Sequence, residues 1–251
     1  MRWTPFAVAL LLACDPPTSD SPLPDDGSLN MPPDNPDAGM TPTDGGRVMT
    51  DVTLTRDVPS VTDRGATVTG IDSDAHYLAQ AQWAARQFGL EERVTFRQMQ
   101  VYDLADVGET FDLVLFMGVF YHLRYPNLAL DIVAQRVGRM MVFQTLTMPG
   151  KEVYTDTDGH DFESRAAMLE PGWPKMAFIE HNFAGDPTNW WAPNHACVEA
   201  VLRASGLKVT AALPHELYLC APDPEHPSSV TTWNTEELLS AIGARRRGAN
   251  P

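Results

Sequence analysis

From about residue 66 onward, apolar positions fall into runs whose spacing predicts alternating strands and helices. Residues 111–116 are almost continuously apolar, which is typical of a parallel strand covered on both faces. Residues 68–72 and 94–101 form two further apolar runs of strand length. Between them, residues 75–88 carry apolar side chains at helical spacing and are followed by Gly89, a residue that commonly ends helices.

The second half of the chain continues this alternation. Asn194 is placed to cap a helix, and Gly206 is placed to end it. Strands that alternate with helices predict an α/β fold with a mainly parallel sheet. Residues 151–186 have weak periodicity and are predicted to form a long insertion over the strand ends. The other predicted elements are helices over residues 127–137, 195–205 and 236–242 and strands over residues 139–147, 207–212 and 216–221, the last two as an antiparallel hairpin.

The first 14 residues resemble a bacterial secretion signal of lipoprotein type. One arginine, an apolar run and a small residue precede Cys14, which this pattern predicts to be the lipidated residue. The run is too short to cross a bilayer as a helix. The alternative interpretation is a fortuitous apolar N-terminus on a cytosolic protein.

Composition divides the rest of the chain. Residues 15–46 are rich in Pro, Asp, Ser, Thr and Gly, and a segment with so few large apolar side chains is predicted to be a disordered tether. Residues 47–65 are ambiguous, because Pro59 and Asp63 interrupt a strand-like alternation. We therefore expect one folded domain over residues 66–221 and a C-terminal tail over residues 222–251.

The net charge of -15 limits the classes of partner. Proteins that bind nucleic acid usually carry a basic face, and no basic cluster occurs before residues 245–247. The charge therefore favours a small molecule or a sugar over tRNA as the partner. Cys14, Cys197 and Cys220 show no metal-binding spacing, so neither a zinc site nor a disulfide scaffold is indicated.

Candidate chemistry follows the strand at residues 111–116. The chain breaks at Gly118 and then presents Tyr121 and His122 together. Titratable side chains just past the carboxyl end of a parallel strand lie where open α/β sheets bind ligands. The alternative is that Tyr121 and His122 only satisfy the end of the strand.

This segment also resembles a known family. An aspartate-bearing strand that runs into M-G-V-x-Y-H, here Met117, Gly118, Val119, Tyr121 and His122, resembles the class I S-adenosylmethionine-dependent methyltransferases. The greatest similarity is to the wobble-uridine tRNA (carboxy)methyltransferase group and its uncharacterised bacterial relatives. The resemblance implies a Rossmann-like sheet with helices on both faces and S-adenosylmethionine as the cofactor.

The resemblance also assigns roles. It implies that Asp72, with Ser73 beside it, accepts the ribose hydroxyls, although either residue is also suited to cap the following helix. It places Asp103 and Leu104 at the adenine, with a solvated turn as the alternative for Asp103. Met117, at the end of its strand, is a further cofactor-contacting candidate.

The predicted reaction is methyl transfer to an oxygen nucleophile. His122 is the candidate base, because an unperturbed imidazole titrates near neutrality, and Tyr121 is expected to position the acceptor or the cofactor. One branch of the family uses a carboxylated cofactor held by an upstream lysine, but no lysine precedes Lys151 here. We therefore expect the ordinary cofactor. The competing hypothesis is a non-catalytic, membrane-anchored module with a degenerate methyltransferase fold.

The upstream part of the domain departs from the family pattern. A glycine-rich turn is expected after the first strand, yet residues 51–67, where it should lie, contain only Gly65 and no G-x-G. Three explanations are open. One is a foreign N-terminal sequence joined to the domain, another is that the protein is an inactive descendant of the family, and the third is a divergent turn that still binds the cofactor. Two cellular locations are predicted. The chemistry of the domain predicts the cytoplasm, whereas the N-terminal signal predicts a membrane-anchored lipoprotein.

Overall fold

The computed structural model of the chain describes residues 9–13, 66–225 and 235–244, the first of these as backbone only. Cys14, the predicted tether over residues 15–46, the ambiguous residues 47–65 and much of the predicted tail lie outside the described residues. Among the helices that are described, none has the length and apolar character needed to cross a membrane.

A seven-stranded sheet forms the centre of the domain, with strand order β3-β2-β1-β4-β5-β9-β8. A second sheet pairs the short strands β6 and β7. The strands are β1 (Ala9–Ala13), β2 (Thr67–Asp72), β3 (Val94–Gln98), β4 (Phe111–Met117), β5 (Val137–Gln144), β6 (Met176–Phe178), β7 (Trp191–Pro193), β8 (Leu207–Leu213) and β9 (Leu217–Pro222). The helices are α1 (Ala75–Gln87), α2 (Pro126–Ala134), α3 (His195–Ala204) and α4 (Thr235–Ala241).

The direction of the strands defines a ligand-binding edge. Strands β2 and β3 pair in parallel, as do β4 and β5, and β1 is antiparallel to both β2 and β4. The carboxyl ends of β2 to β5 therefore meet at one edge. The order 3-2-1-4-5 reverses between β1 and β4, and in doubly wound sheets such a reversal opens a crevice at that edge. This architecture confirms the predicted Rossmann-like α/β fold class.

The N-terminal apolar segment lies inside this sheet. Strand β1 pairs Ala9 with Ile71 and Ala13 with Thr67, so the chain runs through β1 away from the ligand-binding edge. A parallel first strand would end at that edge and deliver the glycine-rich turn there. Because β1 is antiparallel, it cannot supply such a turn at its carboxyl end.

The core follows from side-chain alternation in β4. Val114 and Phe116 are fully buried and belong to the main hydrophobic cluster, which also contains Leu130 of α2. Leu113 and Leu115 alternate with them and pack against a smaller cluster around Ala66 and Val68. Strand β4 is thus covered on both faces, as its continuous apolar run predicts. Because the β2–β3 and β4–β5 crossovers run in opposite directions along the sheet, the right-handed rule places α1 and α2 on opposite faces.

Most sequence-predicted elements are confirmed within one to three residues at each end. Asp74, rather than Asp72 or Ser73, is the N-cap of α1, and its side chain accepts a hydrogen bond from the His76 amide at 2.8 Å. Asn194 is the N-cap of α3, as predicted. The predicted strand over residues 94–101 is shorter than expected, because a 3₁₀ helix takes over at Val101–Asp106.

The insertion between β5 and α3 is ordered mainly by backbone pairing. Strands β6 and β7 form a small antiparallel sheet within it. The Trp190 amide donates to the Tyr121 carbonyl at 2.9 Å, which ties the insertion to the segment that follows β4. The insertion therefore meets the main sheet beside the M-G-V-x-Y-H segment.

Candidate active site

A pocket of about 510 Å³ opens at the carboxyl ends of β2, β3 and β4. This volume lies within the usual range for small-molecule sites. Its lining comes from four separate stretches of the chain, since the strand ends and the insertion converge there. The lining residues are 71–74, Tyr77, 99–101, Val119, 122–123, Asp186 and Thr188.

Asp72 is the acid at the end of β2 and is 8% exposed. Its Oδ1 accepts a hydrogen bond from the Asp74 amide at 2.8 Å, which fixes the orientation of the carboxylate. Its Oδ2 is buried and has no hydrogen-bond partner in the structure. A buried carboxylate oxygen without a donor is costly, so this atom is suited to a ligand that brings a donor.

His122 lines the same pocket from the turn after β4. Its Nδ1 lies 2.9 Å from Thr188 Oγ1 and 3.3 Å from the Thr188 carbonyl oxygen. Its Nε2 is buried and has no partner among the described residues. Burial lowers the pKa of His122, although the Asp186 carboxylate and the Thr188 carbonyl oppose this effect. The imidazole is therefore neutral at pH 7 and able to accept a proton.

Gly118 makes the turn that presents this histidine. Its φ is 69°, a left-handed value that a residue with a side chain adopts only at a cost. Its amide still continues the pairing with β5, donating to the Gln144 carbonyl at 3.2 Å. The turn therefore begins directly at the end of the strand and places His122 close to the sheet edge.

The Tyr121 ring packs against the His122 ring at an interplanar angle of 38°, with the ring centroids 4.1 Å apart. Burial raises the pKa of Tyr121, and Asp186 and Glu216 raise it further. The phenol is therefore protonated at neutral pH and suited to donate a hydrogen bond rather than to act as a base. Tyr121 is not among the residues that line the pocket.

The structure brings only some of the predicted site residues together. Asp72, Ser73 and His122 line one pocket, whereas Asp103, Leu104 and Met117 are not among its lining residues. Asp103 is exposed, and its Oδ2 accepts from the Gln100 amide at 2.8 Å. Leu104 is buried in the main core, and Met117 is half-buried at the end of β4. The cofactor roles of these three residues stay predictions.

Several lining residues were not predicted from the sequence. Met99, Gln100 and Val101 occupy the place beside β3 that the sequence analysis gave to Asp103 and Leu104. Asp186 and Thr188 come from the insertion, where an Asp-Pro-Thr turn signal was visible but its position in space was not.

An aromatic cluster adjoins the same turn. The Arg124 guanidinium carbon lies 5.2 Å from the centroid of the Phe178 ring and 5.0 Å from that of the Trp190 ring. Trp191 also contacts Phe178, with centroids 5.0 Å apart. Neither tryptophan lines the pocket: the Trp190 ring contacts Arg124 and Phe178, and the Trp191 ring contacts Phe178.

The two buried cysteines and the polar cluster in the insertion lie away from this chemistry. Cys197 and Cys220 are free thiols. His160 Nε2 pairs with the Asp156 carbonyl oxygen at 2.7 Å, and Asp161 accepts hydrogen bonds from Ser164. In the part of the chain that the structure describes, no three side chains of metal-binding type converge.

Comparison with known proteins shows what part of the chain is similar to. Residues 55–140 match the family model of a methyltransferase domain. These residues are therefore similar to a methyltransferase domain. Over 108 residues it is 34% identical to the tRNA U34 carboxymethyltransferase of Cellvibrio japonicus, a match that covers 42% of this chain and 32% of that protein. Over 72 residues it is 35% identical to an uncharacterized protein of Synechococcus sp., covering 29% of this chain and 17% of that protein.

The chain thus spans about a third or less of the length of these two curated relatives. Among solved structures, it is similar to the N-terminal domain of EvdMO1 with SAH bound. That match has a TM-score of 0.41 and 20% identity and covers 62% of this chain and 63% of the other. Likeness of this degree adds nothing to the family match.

The family match implies S-adenosylmethionine as the cofactor, and the pocket fits its nucleoside half. The unpartnered Oδ2 of Asp72 is a suitable acceptor for a ribose hydroxyl. Met99 and Val101 supply apolar surface on the β3 side of the pocket. No described residue of β1 reaches the methionine end with a glycine-rich turn, because that strand runs the other way.

Proposed function

We propose that this chain is an S-adenosylmethionine-dependent methyltransferase that acts on a hydroxyl oxygen of a small molecule or sugar. One observation supports this most: two buried polar atoms without hydrogen-bond partners belong to residues that line the same pocket. Asp72 Oδ2 lacks a donor and His122 Nε2 lacks a partner, and both residues line the same 510 Å³ cavity. A nucleoside and an acceptor hydroxyl are the groups that these two atoms would satisfy.

When bound, S-adenosylmethionine supplies an electrophilic methyl group. Asp72 would hold the ribose hydroxyls, which places the nucleoside against the strand ends. His122 Nε2 would accept the proton of the acceptor hydroxyl as the oxygen is methylated. Tyr121 contacts the His122 ring from outside the pocket lining, so it would help to position that ring. Most of the rate enhancement in such a reaction comes from holding the two reactants in line.

Charge supports a small acceptor over RNA. Asp72, Asp74 and Asp186 make the pocket acidic, which suits a cofactor that carries a sulfonium and an ammonium group. The whole chain has a net charge of -15, so phosphate groups would be repelled from most of its surface. The name of the Cellvibrio relative specifies tRNA as its acceptor. For this chain we propose a small molecule or sugar instead.

A second candidate function, a non-catalytic anchored module, is favoured by one observation. Strand β1 is antiparallel, so it brings no glycine-rich turn to the pocket. If residues outside the described part supply no substitute, the cofactor would be held only at its nucleoside end. Methyl transfer would then be slow or absent, because small errors in position reduce rates steeply.

The experiment is a methyl-transfer assay with the full chain and S-adenosylmethionine labelled on the methyl group. A bacterial extract is divided into a small-molecule fraction and an RNA fraction, and each is offered as acceptor. We expect label in the small-molecule fraction that is lost with His122→Ala but kept with His181→Ala, an exposed histidine outside the pocket. Label in the RNA fraction would overturn the acceptor class, and no label in either would favour the non-catalytic module.

A further inference from the structure

The turn at residues 183–189 is a built structure rather than a loose loop. Phe183 and Asp186 pair through two backbone hydrogen bonds of 3.3 and 3.1 Å. The Asn189 side-chain amide donates to the Phe183 carbonyl at 2.8 Å. Asp186 Oδ1 accepts from both the amide and the hydroxyl of Thr188, at 2.7 and 2.6 Å. The Thr188 hydroxyl is therefore held in one orientation beside His122.

Counting protons across this contact fixes the state of the histidine. A hydroxyl has one hydrogen, and Thr188 donates it to the Asp186 carboxylate, which can only accept. Toward His122 Nδ1, both Thr188 Oγ1 at 2.9 Å and the Thr188 carbonyl oxygen at 3.3 Å are then acceptors. Two acceptors require that Nδ1 carries the hydrogen. In a neutral imidazole this leaves the lone pair on Nε2, the buried atom that has no partner in the described residues.

We propose that Thr188 and Asp186 are positioning residues that hold His122 in its Nδ1–H tautomer, so that Nε2 is the proton acceptor for the bound hydroxyl. The inference rests on the proposed role of His122 as the base. The arrangement follows the general logic of a base oriented by a third group. It differs in that the orienting carboxylate acts through a threonine hydroxyl located 66 residues along the chain from the histidine.

The surroundings also determine where the histidine titrates. Asp186 and the Tyr121 ring lie beside it, and Asp72, Asp74 and Tyr77 line the pocket with it. Burial lowers the pKa of His122, and the Asp186 charge opposes that effect. Partial burial raises the pKa of Asp186, but the hydrogen bonds from Thr188 and the nearby histidine outweigh it and leave the pKa lowered. Asp186 is therefore ionised at neutral pH. It must be ionised if its carboxylate is to accept the hydrogen of the Thr188 hydroxyl.

The test is nitrogen-15 NMR of histidine-labelled full chain without ligand, which distinguishes the two neutral tautomers. For wild type we expect His122 to carry its proton on Nδ1. Thr188→Val removes the nearer acceptor and keeps only the carbonyl oxygen at 3.3 Å, so the share of the Nε2–H tautomer is expected to rise, whereas Thr188→Ser keeps the hydroxyl and should keep the Nδ1–H form. A wild-type Nε2–H tautomer, or an unchanged tautomer in a folded Thr188→Val variant, would overturn the proposal.

A second variant gives an independent measurement. Asp186→Asn removes the charge that stabilises the imidazolium, so the pKa of His122 measured by the same NMR titration is expected to fall further. A pKa equal to that of wild type would contradict the role of Asp186. Both measurements use ligand-free protein, so they test only whether Thr188 and Asp186 position His122. Failure of the methyl-transfer assay would instead count against the proposed function.

Discussion

Asp72 and His122 each keep one buried polar atom without a protein partner, and both residues line the pocket. An unsatisfied buried polar group costs about 1–3 kcal/mol. A fold tolerates such a cost most readily where a ligand supplies the missing partner. At the residue scale, these two atoms are the basis for proposing a site for a nucleoside and a hydroxyl group. In our proposal, Thr188 and Asp186 orient His122 so that Nε2 is the atom without a hydrogen.

The buried thiols lead to a prediction about alkaline stability. Burial raises the pKa of Cys197 to about 11 and that of Cys220 to about 12. An unfolded thiol ionises near pH 8.5, so the stability linked to both groups is complete below that pH and is lost as pH rises toward the folded values. Above pH 8.5, each thiol should reduce the free energy of unfolding by about 1.4 kcal/mol per pH unit.

Guanidinium unfolding at pH 7.5 and pH 9.5 under reducing conditions measures this loss. A double Cys197→Ala, Cys220→Ala variant should start less stable, because it loses buried volume, but should change less between the two pH values than wild type. Parallel losses in the two proteins would show that the thiols are not the groups responsible.

At the scale of elements, Gly172 and Gly159 form a matched pair within the insertion. Both have left-handed φ values, 78° and 74°. A Cβ on Gly172 would lie 2.6 Å from the carbonyl carbon of Glu152 and 2.7 Å from the Tyr154 nitrogen, whereas one on Gly159 would meet nothing within 4 Å. Alanine at either position costs about 1–2 kcal/mol for the backbone conformation.

Gly172→Ala should cost about 1–3 kcal/mol more than Gly159→Ala, because backbone at residues 152–154 must move to make room. Unfolding free energies of the two variants measure the difference. Hydrogen exchange at the Tyr154 amide, which donates to the Gly172 carbonyl at 3.0 Å, should accelerate in Gly172→Ala alone. Equal costs would mean that the insertion does not pack against itself in this way.

The position of β1 is a second prediction at this scale. Its backbone pairs with β2 on one side and β4 on the other, with Leu11 opposite Thr69 and Val114. Proline in a central strand removes a ladder hydrogen bond and is rarely tolerated. Leu11→Pro should therefore lower the free energy of unfolding by about 1–3 kcal/mol or more, while Leu11→Val, which keeps the amide, should change it little.

Thermal unfolding followed by circular dichroism distinguishes the variants. If Leu11→Pro is as stable as wild type, residues 9–13 do not contribute a strand to the sheet. A strand here and a cleaved signal exclude each other, since cleavage before Cys14 would remove β1 from the sheet.

These elements also show what the sequence could predict. Strands and helices with a clear period, such as β4 and α1, were predicted correctly because burial on one or both faces imposes that period. Strand β1 coincides with the segment that resembles a secretion signal, because a short apolar run fits both patterns, and the signal stays a prediction. The three-residue strands β6 and β7 are too short for any period to emerge.

The candidate site shows the same limit. Asp72 and His122 could be placed at the pocket from sequence, because each follows a strand whose carboxyl end must lie at the ligand-binding edge. Thr188 and Asp186 could not, because they reach His122 across 66 residues of chain through a turn in the insertion. Contacts of that kind depend on tertiary packing rather than on any local pattern.

At the scale of the whole molecule, the net charge limits the kind of ligand and the sheet topology determines where the ligand binds. A net charge of -15 and an acidic pocket favour a cationic cofactor and an uncharged acceptor. The strand order reverses between β1 and β4, which is where doubly wound sheets open a crevice, and the pocket lies at that edge. The account therefore locates cofactor binding at one place in the fold and makes it depend on Asp72.

Isothermal titration of S-adenosylmethionine into the full chain tests this most directly, with Asp72→Asn as the variant and Glu91→Gln, an exposed carboxylate outside the pocket, as the control. Asparagine retains an acceptor for the Asp74 amide but loses the charge. The account predicts saturable one-site binding that Asp72→Asn weakens by about 1.5–3 kcal/mol, or roughly 10- to 150-fold, and that Glu91→Gln leaves unchanged. No binding by the wild-type chain, or equal affinity in a folded Asp72→Asn variant, would contradict it.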